Sequence, residues 1–75
     1  MPTIQTEPAV AAGAQIRGLM ATKRVTQAEA AAALGISQTA ISRRLRGEIP
    51  FNVTELDALS KLLGVPVVRL WAASA

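Results

Sequence analysis

A chain of 75 residues with a net charge of +3, no cysteine and no histidine reads as one small domain, without thiol, disulfide or Cys/His metal chemistry. About half of its residues are apolar and many of those are alanines, which let helices approach closely while burying little area each. No run approaches the ~18 uninterrupted apolar residues of a membrane span, and Glu7 stands where a secretory leader carries positive charge, so the expectation is a soluble, cytoplasmic protein with no cofactor.

Residues 1–7, which include Pro2, read as a flexible arm, and residues 8–75 as the domain. Pro8 suits the first turn of a helix expected to run to about Thr22. Val10, Ile16, Leu19 and Met20 are its expected buried positions, and Gly13 and Gly18 weaken it. Residues 23–25 form a short connection. Thr26 then caps a second helix, expected over Gln27–Leu34, and Glu29 completes a capping box. Ala30, Ala31 and Leu34 face inward, and Gly35 ends the helix where a left-handed backbone is wanted.

Ser37 caps a third helix, expected from Gln38 to about Arg46, and residues 47–50 form a loop whose Pro50 cannot continue it. Asn52 and Glu55 repeat the capping-box pattern for a fourth helix with an apolar stripe of Val53, Leu56, Leu59, Leu62 and Leu63. Gly64 stops that helix, and Pro66 opens a short last one from which Val67, Leu70 and Trp71 fold back on the core. Phe51 is expected to plug the gap between the third and fourth helices. No β pattern is present. The expected fold class is all-α, a compact bundle of about five short helices containing a helix-turn-helix.

The run from Thr26 to Gly47 carries the chemistry. At roughly 100° per residue, Gln38, Thr39, Ser42, Arg43 and Arg46 fall within an arc of roughly 140° of the third helix, while Ile41 and Leu45 lie together on another side. A recognition helix needs that division into a buried back and a polar front. The residue types also suit base edges: glutamine pairs bidentately with adenine and arginine with guanine, while serine or threonine serves several edges. At the start of the second helix, the Thr26 hydroxyl, the Gln27 side chain and the free N–H groups form a natural phosphate clamp. Capping alone would also account for Thr26, and solvent exposure alone for Gln27.

Charge runs the same way. Arg17, Lys23, Arg24, Arg43, Arg44 and Arg46 lie in a stretch whose single acid is Glu29, whereas Glu7, Glu48, Glu55 and Asp57 lie outside it. A basic middle fits a surface that meets phosphates. Lys23 and Arg24 either reach a DNA backbone or belong to a solvated loop, and Arg17 reads as an ordinary surface residue. Trp71 is read as a lid on the core, with Val67, Val68 and Leu70 leaving room for a dimer contact nearby.

The pattern Thr26-Gln27, Ala31, Gly35-Ile36-Ser37, Ile41-Ser42 and Gly47 resembles the lambda-repressor-like helix-turn-helix family of phage repressors, Cro proteins and small bacterial regulators. With the helix after Asn52 and the following Gly64-Val65, the resemblance extends over about residues 16–70. It implies a five-helix domain that binds double-stranded operator DNA at a palindromic or near-palindromic site, usually as a homodimer, formed either free or only on DNA. Carried over by position, Gln38, Thr39, Ser42 and Arg43 would contact bases. Gln27 and Arg46 would grip phosphates, with Thr26 and Lys23 beside them, and Gln38 would support Gln27.

Two positions depart from the family pattern: Ala30, where leucine is common, and Arg44, where an aliphatic residue is common. They imply a third helix rolled slightly against the core, with Arg44 snorkelling past its edge. The function implied is a sequence-specific transcriptional regulator, most simply a phage or bacterial repressor or Cro-like protein that occludes polymerase or a competing regulator. The length also fits the N-terminal domain of a longer repressor. Competing readings are a protein-interaction module such as an antitoxin or adaptor, and an excision or architectural factor that bends DNA. An enzyme is disfavoured, because histidine, cysteine and tyrosine are lacking and Glu55 and Asp57 point to different sides of a helix.

Overall fold

Short-range capping chemistry divides the chain into its elements. The computed structural model describes residues 7–72, and the side chains of residues 9–70. Within them lie five helices and no strand: α1 (Glu7–Lys23), α2 (Gln27–Leu34), α3 (Gln38–Leu45), α4 (Val53–Leu63) and α5 (Val67–Ala72). Thr26 Oγ1 accepts from the Glu29 N–H at 3.1 Å while the Glu29 carboxylate accepts from the Thr26 N–H at 2.9 Å. Asn52 and Glu55 make the same reciprocal pair at 2.7 and 3.0 Å, and Ser37 Oγ accepts from the Ala40 N–H at 3.0 Å. Such caps contribute about 1 kcal/mol each.

The helix ends use the left-handed backbone. Gly35 and Gly64 adopt φ values of 69° and 68° after α2 and α4. After α1 the same place is taken by Arg24, with φ 58°. Its N–H reaches the Ala21 carbonyl at 3.3 Å and the Val25 N–H reaches that of Met20 at 2.9 Å, the double closure of a Schellman motif. A side chain in that conformation costs about 1–2 kcal/mol. Of the expected arm, Glu7 is already the first residue of α1 and the rest lies outside the described residues, as does the side chain of Trp71.

One cluster forms the core: Ile16 and Met20 of α1, Ala30 and Ala31 of α2, Ile41 and Leu45 of α3, Leu56, Leu59 and Leu63 of α4, then Val65 and Leu70. Each of the large members contributes about 1.5–3 kcal/mol relative to exposure. Leu19, Leu34, Phe51, Leu62 and Val67 pack half-buried around it. α3 rests on both α1 and α2, α4 on α2, and α5 on α4 and α1. The helix destined for the site is therefore supported from two sides.

Two expected core positions are wrong. Val10 is 38% exposed and Val53 is 63% exposed. α1 instead presents Ala9, Ala12 and Gly13, ahead of Ile16 and Met20, because its N-terminal half approaches the end of α3 too closely for larger side chains. A β-carbon on Gly13 would overlap the Leu45 carbonyl oxygen, and one on Gly47 would lie 2.7 Å from Val10 Cα. Gly13, read from sequence as a weak point of α1, is its contact point with α3. Val53 opens α4, and helical side chains lean toward the N-terminus, so it points past the edge of the core.

Candidate nucleic-acid interface

The turn between α2 and α3 is closed by the Gly35 N–H on the Ala32 carbonyl at 3.2 Å and the Ile36 N–H on that of Ala31 at 3.0 Å. Ile36 packs against the core and Ser37 starts α3 at once. Ala30 and Ala31 are buried beneath, and Ile41 and Leu45 lock the inner side of α3, at 0% and 2% exposure. The outer side consequently presents Gln38, Thr39, Arg43 and Arg46 to solvent, with Ser42 half-buried among them. The five side chains assigned to one face are brought together there.

A sixth group joins them that sequence reasoning left out. Glu48 accepts from Arg46 Nε at 2.6 Å and from Arg43 Nε at 3.4 Å, while a terminal nitrogen of Arg46 donates to Ser42 Oγ at 2.8 Å. The hydrogen bond from Arg46 holds the Glu48 carboxyl below the usual carboxylate range against an opposing cost of burial, with the charge of Arg46 and the weaker contact to Arg43 adding to it. Along the sequence Glu48 lies outside the basic stretch, because it follows that stretch in the chain. The turn at Gly47 (φ 80°) brings it back, the Gly47 N–H meeting the Arg44 carbonyl and the Glu48 N–H that of Arg43, both at 3.0 Å. The signal was Gly47 itself, since a glycine one past a helix end folds the next residue over the last turn.

At the start of α2, the Thr26 hydroxyl donates to Glu29 Oε1 at 3.0 Å as well as accepting from the Glu29 N–H. The Thr26 backbone N–H, then its hydroxyl, hold the Glu29 carboxyl below its usual range. Among the described residues, the N–H groups of Gln27 and Ala28 have no protein acceptor, and the Gln27 side chain is exposed beside them. Lys23 and Arg24 are exposed just before this helix end. No hydrogen bond joins Gln27 to Gln38 in this structure.

The helix-turn-helix family model matches residues 16–70, from the middle of α1 into α5. The chain belongs to the lambda-repressor-like helix-turn-helix family. In general terms a member of this helix-turn-helix family is a DNA-binding transcription regulator, and this chain is one. No curated protein and no solved structure gives a significant match. No helix among the described residues is long and apolar enough to cross a membrane.

The two departures from the helix-turn-helix family pattern have physical accounts. Ala30 is fully buried on the inner side of α2, where its small size lets that helix sit close to α3 and α4. Arg44 does not snorkel into solvent. Its Nε donates to both Glu55 oxygens at 3.1 Å and a terminal nitrogen donates to the Ala40 carbonyl at 3.1 Å, with Arg44 and Glu55 side chains 17% and 10% exposed. Glu55 thus caps α4 and ties it to α3 with one carboxylate. Of the three arginines near the end of α3, one belongs to the scaffold and two to the outer face.

Proposed function

We propose that this helix-turn-helix regulator is a repressor or Cro-like protein that recognises operator DNA by sequence and blocks transcription by occupying it in the cytoplasm. The observation that carries the reading is the two-sidedness of α3. Ile41 and Leu45 are buried on one side while Gln38, Thr39, Arg43 and Arg46 stand exposed on the other, beside the unpaired N–H groups of α2. A rigid back with a polar front is what a helix needs to enter the major groove.

In this reading Gln38, Thr39, Ser42 and Arg43 meet base edges and Arg46 meets a phosphate. Gln27 and Lys23 hold a second phosphate at the start of α2. Thr26 acts there through the helix end it organises, since its hydroxyl hydrogen goes to Glu29. Two copies bind an inverted repeat with half-sites about one helical turn apart. Val53 and Val68, both over 60% exposed, offer apolar surface for pairing.

Selection of binding sites from random duplex DNA at near-physiological salt tests the proposal. It expects enrichment of an inverted repeat. A single half-site would mean a monomeric reader. Retention without enrichment would remove sequence recognition and favour a protein-interaction module, and a large bend angle on the selected site would favour an architectural factor.

A further inference from the structure

Glu48 puts a negative charge on the face proposed to meet a polyanion, and its placement is not that of a loose surface acid. Its backbone N–H is fastened to the Arg43 carbonyl at 3.0 Å, and its carboxylate takes Arg46 Nε at 2.6 Å and Arg43 Nε at 3.4 Å. Its side chain is only 17% exposed, against 48% for Arg43 and 51% for Arg46. A guanidinium has five N–H donors in a planar fork. Bonded through Nε, Arg43 leaves its two terminal nitrogens without a protein partner on a half-exposed side chain, and these are the pair that can meet guanine O6 and N7 end-on. Arg46 differs, because a terminal nitrogen is also spent on Ser42 at 2.8 Å.

We infer that Glu48 is a positioning residue for sequence discrimination: it holds Arg43 by one edge so that the other reads a base, and its charge discourages binding to phosphates elsewhere. The inference rests on the DNA-binding reading and deepens it. A free arginine on this face would swing to any phosphate within reach, raising affinity for all duplexes alike. An arginine tethered to a half-buried, fixed carboxylate gives up that gain and keeps one orientation. The local charge of the Arg43, Arg46 and Glu48 group is +1 rather than +2, which lowers the phosphate-driven part of binding.

The test measures affinity of the full chain for its selected duplex and for a scrambled duplex of equal length, over a range of salt. Wild type, Glu48→Gln, Arg43→Ala and the double variant are compared, with thermal melting to show that each is folded. Glu48→Gln is expected to bind scrambled DNA more tightly, with a salt slope steeper by up to ~0.9, the contribution of one phosphate contact. Its preference for the selected duplex should fall about fivefold or more, and in the Arg43→Ala background the same change should alter that preference little. An unchanged preference in Glu48→Gln, or an equal fall with and without Arg43, would overturn the inference while leaving the DNA reading in place. Failure of the wild type to bind either duplex would overturn both.

Discussion

The backbone of α1 at Gly13 touches the carbonyl of Leu45, the last residue of α3, with no room for a β-carbon between them. α3 is thereby held at its C-terminal end by helix-to-backbone contact, and at its middle by Ile41 in the core. The position and tilt of the outer face depend on this contact.

Gly13→Ala separates local preference from packing. Alanine favours a helix over glycine by about 1 kcal/mol. The overlap with Leu45 should reverse that and give a net loss of about 1–3 kcal/mol in urea unfolding. Gly18 is the control on the same helix: a β-carbon there meets nothing within 4 Å. Gly18→Ala should therefore stabilise by about 0.5–1 kcal/mol. Equal effects at the two positions would show that α1 does not approach α3 as described.

Arg44 and Glu55 should behave as scaffold. Arg44→Ala strands a carboxylate that is 10% exposed and should cost about 1–3 kcal/mol. Replacing the pair together, Arg44→Met with Glu55→Gln, should restore most of the loss, because glutamine can still accept from the Asn52 N–H. The salt dependence of DNA binding should not move in the double variant. A slope flattened by about one phosphate contact would place Arg44 on the DNA-facing side after all.

Acid should weaken the fold through Glu29 and Glu48. Both carboxyls are held below their usual value of 4.5 in the folded chain. A depressed folded value means that their stabilisation is present above the unfolded value near 4.5 and is lost as pH falls through the folded one. Thr26→Ala removes the hydroxyl that caps α2 and the smaller of the two Thr26 contacts to Glu29, leaving the backbone N–H in place, so it should cost about 1 kcal/mol at neutral pH. The variant should also show a shallower decline below pH 4.5. Parallel stability curves for wild type and variant would rule out the contribution of the Thr26 hydroxyl.

Arg24→Gly tests whether strain is kept at the edge of the interface. Glycine occupies the left-handed region without penalty, so the variant should be more stable by about 1 kcal/mol. If the Arg24 side chain also meets the DNA backbone, affinity for every duplex should fall together. Greater stability with unchanged DNA affinity would make Arg24 an ordinary turn residue.

The features legible in the sequence are those settled within one turn of chain. Thr26 with Glu29, Asn52 with Glu55, and Ser37 with Ala40 are contacts three residues apart, and Gly35 and Gly64 act at a single backbone position. The buried back of α3 was equally legible, because Ile41 and Leu45 stand one turn apart. What escaped depended on a neighbour. Val10 lies against the turn at Gly47 rather than in the core, a contact that no periodicity shows. Arg44 finds Glu55 across an interhelix junction that no periodicity shows. Glu48 reaches Arg43 and Arg46 because Gly47 reverses the chain, although a charge count along the sequence placed it outside the site.

The central claim is that the outer face of α3 reads bases from a rigid support, and Gln38→Ala tests it most directly. The Gln38 side chain is exposed, makes no hydrogen bond to the protein and lies on the first turn of α3, so its loss should leave stability nearly unchanged. The quantity to measure is the ratio of affinities for the selected duplex and a scrambled one. The account predicts a fall of roughly 5- to 150-fold in that ratio, the equivalent of about 1–3 kcal/mol for one bidentate contact, with scrambled-duplex affinity unchanged. An unchanged ratio, or an equal loss on both duplexes, would contradict it.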